Sequence, residues 1–207
     1  VEEEASEDIQ KIGGMEPLDE PYLRTRFRRM IRKRGSWLSA LFLGELLTAT
    51  AMGYFEAEVA RAVVLAVFIP LIISSGGNSG SQATSLIIRA LAVRDVKLRD
   101  WWRVFSRELV TGFALGCVLA VLGFTRIFVW QMLGFKDYGV HHLLLGAAIG
   151  CSLVGVVLFG SLTGSMLPFI LRKMKFDPAV SSAPFVATLV DVTGLIIYFS
   201  IAYLILN

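Results

Sequence analysis

Two cysteines and two histidines in 207 residues leave little with which to build a disulfide framework or a soft-metal site. Cys117 and Cys151 each lie inside an apolar run, where cysteine acts as a small hydrophobe. His141 and His142 are adjacent and point to different sides of a helix, a poor clamp for a metal. No Gly-Lys-Ser/Thr ending follows the glycine-rich stretch, which excludes a phosphate cradle of the P-loop kind. A secretory leader is not expected, because the first thirty residues are polar. The chain opens on Val1 rather than Met, and the expectation is a piece of a longer protein that begins just before its membrane part.

Charge is scarce as well. Only 18% of residues are charged while 55% are hydrophobic, and the apolar residues come in blocks rather than at the spacing of a soluble domain. Five blocks approach or exceed the roughly 18 residues that mark a membrane-spanning helix: 36–55, 59–91, 109–130, 143–171 and 180–206. The second and fourth exceed the ~20 residues a bilayer needs, so they tilt, bend or project beyond it. The fold predicted is all-α: a polytopic membrane protein with five transmembrane helices, preceded by an N-terminal cytoplasmic amphipathic helix. Residues 1–34 form the cytoplasmic connecting part and 35–207 the membrane domain.

Basic residues set the orientation. Lys11, the run from Arg24 to Arg34, the loop from Arg89 to Arg107 and the group Arg172, Lys173 and Lys175 hold 17 of the 20 lysines and arginines. Only Arg61, Arg126 and Lys136 fall on the other side. The positive-inside rule places the N-terminus in the cytoplasm and Asn207 outside, as an odd number of spans requires. These basic loops need no nucleic-acid partner, because anionic membrane lipids are their natural neighbours.

Against this background the acids inside the spans stand out. The last block, PFVATLVDVTGLIIYFSIAYLIL, carries one charge, Asp191. A carboxylate near mid-bilayer costs about 2.5–3.5 kcal/mol on insertion scales, so it must face a partner, water or an ion. No basic residue lies deep in any span to pair with it. A hydrogen bond between helices is the plainer reading. Ala183, Ala187, Asp191 and Gly194 share one helical face, which leaves room for a second helix or a hydrated ion. Pro184 cannot donate a backbone hydrogen bond and is expected to free a carbonyl near Val180, an oxygen ligand for a hard cation. A simple proline kink is the plain alternative.

The second block contains SSGGNSGSQAT, residues 74–84. Small residues there suit close helix packing. Asn78 and Gln82 are also four apart on one face, and two interrupted apolar segments in one chain point to a permeation site. Glu45 lies midway through the first block without an obvious partner and reads as structural. Glu56 and Glu58 lie at the outer mouth, where they either draw cations or are simply solvated. At the N-terminus, EEEASEDIQKIGG reads as an acidic helix stopped by Gly13 and Gly14, and Asp177 followed by Pro178 is a helix-start signature.

PLIISSGGNSGSQATSLIIRALAVRD and DPAVSSAPFVATLVDVTGLIIY together resemble the membrane domain of the MgtE magnesium channels, and EEEASEDIQKIGG resembles that family's connecting plug helix. The resemblance runs in order over essentially the whole chain. It implies a homodimer of five-helix subunits with the pore on the two-fold axis, lined by the second and fifth helices. It implies that Asp191 holds Mg²⁺ through the ion's retained waters, that the carbonyls of Ala183 and Ala187 assist, and that Asn78 lines the pore, with Gln82 expected beside it from the shared face. The family pattern has Asn where this chain has Ala183, which leaves a carbonyl role there but no side-chain role. It further implies that Asp177, Glu7 and Asp8 bind regulatory Mg²⁺ on the cytoplasmic side, so that Mg²⁺ is both substrate and regulator. A soluble domain and paired CBS modules are expected before the plug helix in the full-length protein. The function expected is Mg²⁺ conduction into the cytoplasm, with no covalent chemistry. The alternatives are a proton- or sodium-coupled divalent cation exchanger, or a membrane scaffold whose polar stretches only pack helices.

Overall fold

The computed structural model describes residues 7, 9–56, 63–139 and 141–206, and among them all regular structure is helical. The long helices are α1 (Phe27–Tyr54), α2 (Val63–Ala92), α3 (Trp101–Met132), α4 (His142–Lys173) and α5 (Ala183–Leu206). Single 3₁₀ turns, Leu98–Asp100 and Pro178–Val180, lead into α3 and α5. Four of the helices, α2 to α5, are both long and apolar enough to cross a membrane. α1 has the length, at 28 residues, but Glu45 and its small polar neighbours dilute its apolar character below that level. The residue 34–35 boundary lies inside α1, which continues unbroken from the basic segment into the apolar one.

α4 is the hub. It packs against α2, α3 and α5, whereas α1 leans mainly on α5. The closest approach is between α2 and α4. A Cβ on Gly160 would overlap the carbonyl oxygen of Gly76, and one on Gly164 would overlap that of Gly80. Both helices carry their glycines four residues apart, so one flat face meets another and the backbones touch. Polar side chains fasten the seam. Ser79 and Ser161 share a hydrogen bond of 2.7 Å between their hydroxyls, and the Thr84 hydroxyl donates to the Gly164 carbonyl at 2.9 Å. That carbonyl needs a donor, because Pro168 has no N–H to give it. Around this seam Ile72, Val156, Val186, Val190, Leu195, Tyr198 and Phe199 form the core. The Tyr198 hydroxyl, buried with its ring, donates to the Leu65 carbonyl at 2.8 Å.

The N-terminal segment docks on the basic end of the helices. Residues 9–12 are helical and stop at Gly13 and Gly14, and the rest of the expected acidic helix lies largely outside the described residues. Gly14 has φ +72° and sits between Trp37 and Pro184, where a side chain would collide with both. Lys33 is buried at the start of α1 and donates to Asp19, 2.9 Å away, and to the Pro17 carbonyl. The hydrogen bond and charge of Lys33 hold the Asp19 carboxyl below the ordinary aspartate range.

One expectation needs correction. α5 begins at Ala183, three residues later than the predicted span, so Pro184 lies in the first helical turn and no kink forms. First-turn N–H groups have no intrahelical acceptor, so a proline there removes nothing. The Val180 carbonyl belongs to the preceding turn, and Pro184 does not free it.

The glycine seam predicts opposite effects for one substitution at two places. Gly164→Ala forces two backbones apart and lowers stability by roughly 1–3 kcal/mol. Gly53→Ala, in a helical position with open space around it, leaves stability unchanged or raises it by up to ~1 kcal/mol. Thermal unfolding of both variants in detergent tests the contrast, and equal stabilities would remove the seam from its central place.

Candidate ion site

The seam fixes which way α2 turns its other faces. Gly76, Ser79, Gly80 and Thr84 are spent on α4, and Ser74, Gly77, Asn78 and Ser81, offset around the same helix, are left pointing away from it. These residues form one wall of a cavity of about 430 Å³. α5 supplies Ala187, Asp191 and Leu195, and α1 supplies Glu45, Thr48 and Met52. The cavity lies along the middle of helices long enough to span a bilayer.

Two carboxyl groups meet there. Glu45 and Asp191 come within hydrogen-bonding reach of each other, and Glu45 Oε1 also accepts from the Thr188 hydroxyl at 3.2 Å. Among the described residues no lysine or arginine lines the cavity. The remaining polar groups are small and uncharged: the Ser74 hydroxyl accepts from Asn78 Nδ2 at 3.5 Å, and the Ser81 hydroxyl donates to the Ala183 carbonyl at 3.3 Å. The buried Thr48 hydroxyl has no partner among the described residues. Oxygen donors around two acids, with no fixed cation, make an environment that a hard divalent cation would relieve.

The sequence-derived site residues distribute as follows. Asp191, Ala187 and Asn78 line the cavity. Ala183 stands at its edge, its carbonyl engaged with Ser81. Gln82 is exposed, one turn beyond Asn78, and is not part of the wall. Asp177 is elsewhere, in the turn before α5. Its Oδ2 accepts from Lys11 Nζ at 2.7 Å and its Oδ1 from the Ala179 N–H at 2.9 Å, which makes it the N-cap that its sequence signature suggested. Partial burial pushes the Asp177 carboxyl up, but the Lys11 ammonium and the Ala179 N–H outweigh it and hold the group below the ordinary aspartate range. Glu7 is an exposed residue one turn before Lys11, and Asp8 lies outside the described residues, as does Glu58. Lys11 thus ties the N-terminal turn to the α4–α5 loop at the place where the resemblance puts regulatory metal.

Glu45 is the residue that sequence reasoning undervalued. Its partners, Thr188 and Asp191, are more than 140 positions away, and nothing local announces them. The one available signal was a second acid in a span that, like the last, had no basic residue to neutralise it.

Comparison with known proteins bears on this arrangement. The family model MgtE, described as a divalent cation transporter, matches residues 69–201, which include the α2 and α5 walls of the cavity. The magnesium transporter MgtE of Thermus thermophilus is 43% identical over all 207 residues. The proteins of the same name from Enterococcus faecalis and Bacillus subtilis are 35% identical over 98% of the chain and 33% identical over 82% of it. The chain spans less than half the length of these relatives: 44%, 42% and 36%. With a family match that runs from Ile69 through the acid-bearing helix to Ile201, the chain belongs to the MgtE family of divalent cation transporters.

Proposed function

We propose that this chain forms the ion-conducting membrane part of a magnesium channel, with the pore on the axis of a homodimer and conduction towards the cytoplasm. The observation that carries the reading is the mid-span cavity in which Glu45 and Asp191 meet with no basic side chain among its described lining residues. Mg²⁺ dehydrates reluctantly and is held by one or two carboxylates plus waters. A cavity with two acids and a ring of hydroxyl and amide groups suits a hydrated ion better than a stripped one.

An uncovered face supports the dimer. Ser74, Asn78 and Gln82 are exposed along α2, between the apolar ends Val67 and Leu86. Polar groups at that depth would be unsatisfied against lipid. A second copy, related by a two-fold axis, would cover them and bring a second Asp191 to the same ion. α1 then serves as a fifth span, carrying Glu45 on its protein-facing side. The 17 basic residues assigned to one end support a cytoplasmic position for that end and for the N-terminus. Residues 1–34 then form a cytoplasmic connecting part and 35–207 the membrane domain. The greater length of the relatives leaves room for a soluble regulatory region before residue 1 in the whole protein. A coupled exchanger would use the same acids, but nothing in the relatives' names supports coupling.

Regulation by Mg²⁺ is assigned to the junction of Glu7, Asp8 and Asp177. There Lys11 occupies Asp177 in the structure described here, so a metal that bridges these acids must displace the Lys11 ammonium.

Three outcomes are expected. Asp191→Asn keeps size and hydrogen bonding but removes charge, and it lowers Mg²⁺ uptake into liposomes by about ten- to a hundredfold, the worth of one lost charged contact of ~1.5–3 kcal/mol. Uptake near wild type would favour a packing role for Asp191. In a background with Cys117 and Cys151 replaced, Asn78→Cys forms a disulfide-linked dimer in membranes, and a transport-active chain that never cross-links or self-associates would exclude the axial pore. Lys11→Gln shifts Mg²⁺-dependent closure to lower concentration by up to about fivefold, as an exposed ion pair of ~0.2–1 kcal/mol permits. An unmoved closing concentration would detach the Asp177 junction from regulation.

A further inference from the structure

A second cavity lies away from the ion site, between the start of α3 and the end of α4, at the end of the molecule that carries most of the basic residues. It encloses about 730 Å³, within the ~300–1,000 Å³ range of small-molecule sites. Its walls are apolar. Trp101 and Phe105 come from the first turns of α3, and Met166 and Ile170 from the last turns of α4. Trp101 and Ile170 are half exposed, so the groove opens outward rather than into the core. At its mouth stand two basic side chains, Arg99 and Lys173.

The two cations are not spent elsewhere. Among the described residues neither has an ion-pair partner or a side-chain hydrogen bond. The neighbouring Arg172 behaves differently and donates to the Leu91 carbonyl at 2.9 Å. The nearest acid in sequence, Asp100, is turned back to accept from the Lys97 N–H at 3.0 Å. Trp101 and Trp102, both exposed, mark the level of a membrane–water boundary, where the amphipathic indole ring is favoured. The groove therefore has an apolar channel that runs along the spans, a pair of unneutralised cations at its head, and an interfacial depth.

We propose that this groove is a binding site for an anionic phospholipid of the leaflet on the basic side, its phosphate held between Arg99 and Lys173 and one acyl chain lying against Phe105, Met166 and Ile170. Charge complementarity selects the occupant. A zwitterionic lipid brings its own cation to the same place and gains less from the pair, and a soluble anion has no use for the apolar walls. The site rests on placing the helices in a bilayer and is independent of the ion path.

The test is native mass spectrometry of the purified protein, titrated in detergent with phosphatidylglycerol or with phosphatidylcholine. Wild type retains phosphatidylglycerol preferentially. Arg99→Gln with Lys173→Gln weakens its retention about thirtyfold, since each basic residue near the headgroup contributes a comparable attraction. Arg103→Gln, one turn further on and outside the groove, leaves it unchanged. Ile170→Trp fills the channel and lowers phosphatidylglycerol retention while thermal unfolding stays at the wild-type temperature. Asp191→Asn retains the lipid fully, which separates this site from the ion site. Equal retention of the two lipids, wild-type retention by the Arg99/Lys173 double variant, or an equal loss in Arg103→Gln would each overturn the proposal.

Discussion

Where Gly76 and Gly80 meet Gly160 and Gly164, two helix backbones lie in contact, and the orientation of α2 is fixed by that contact. A helix has limited perimeter, and once one face is committed the others have no freedom. The rotation that sets the glycines on α4 also sets Ser74, Asn78 and Ser81 on the opposite flank, facing Asp191 of α5 and Glu45 of α1. Val156, Val186 and Val190 flank the seam, but inside a bilayer apolar side chains do little to drive it, because lipid tails are as apolar as leucine. Close van der Waals contact and the hydrogen bonds of Ser79 and Thr84 replace the hydrophobic effect.

The acids then have only one kind of neighbourhood. Glu45 and Asp191 face each other, small hydroxyls and an amide surround them, and among the described residues no lysine or arginine lines the cavity. Such an arrangement is unfavourable for a protein with no ion to bind, since each ionised acid at that depth carries an insertion penalty of ~2.5–3.5 kcal/mol. A fixed arginine would cancel the penalty and also block a cation. Among the described residues no such arginine stands in the wall, and that supports the proposed transport role over a purely stabilising one.

How much of this could be read from the chain depends on the range of the interaction. The apolar blocks, the stop at Gly13 and Gly14 and the cap at Asp177 are local and were legible, because each depends on residues a few positions apart. The stretch from Ser74 to Thr84 had two readings, close packing and a polar lining. Both describe the geometry, on different faces, and only the partner helix decides which residue goes to which. Pro184 misled for a simple reason: its effect depends on whether a helix already exists four residues earlier, and here it does not. Gln82 shares a face with Asn78 by spacing alone, yet the cavity wall ends before it. Glu45 was illegible because its meaning lies in Thr188 and Asp191, at the far end of the sequence.

The outward surfaces of the helices separate two environments that composition alone treats as one. α3 exposes Val110, Phe113, Val118, Val121 and Leu122, a side that is apolar apart from the short hydroxyl side chains of Thr111 and Thr125. α2 exposes Ser74, Asn78 and Gln82 at the corresponding depth. Both are exposed to the same degree in a single chain, but only the first is compatible with hydrocarbon, because an amide against lipid keeps its unmet hydrogen bonds. The α3 side therefore belongs to the lipid, and the groove beside Trp101 and Ile170 is its continuation at the headgroup level. The α2 side calls for protein or water. The proposed two-fold partner would meet that demand by the same rule that governs the carboxylates: a polar group in a membrane must be given something to bind.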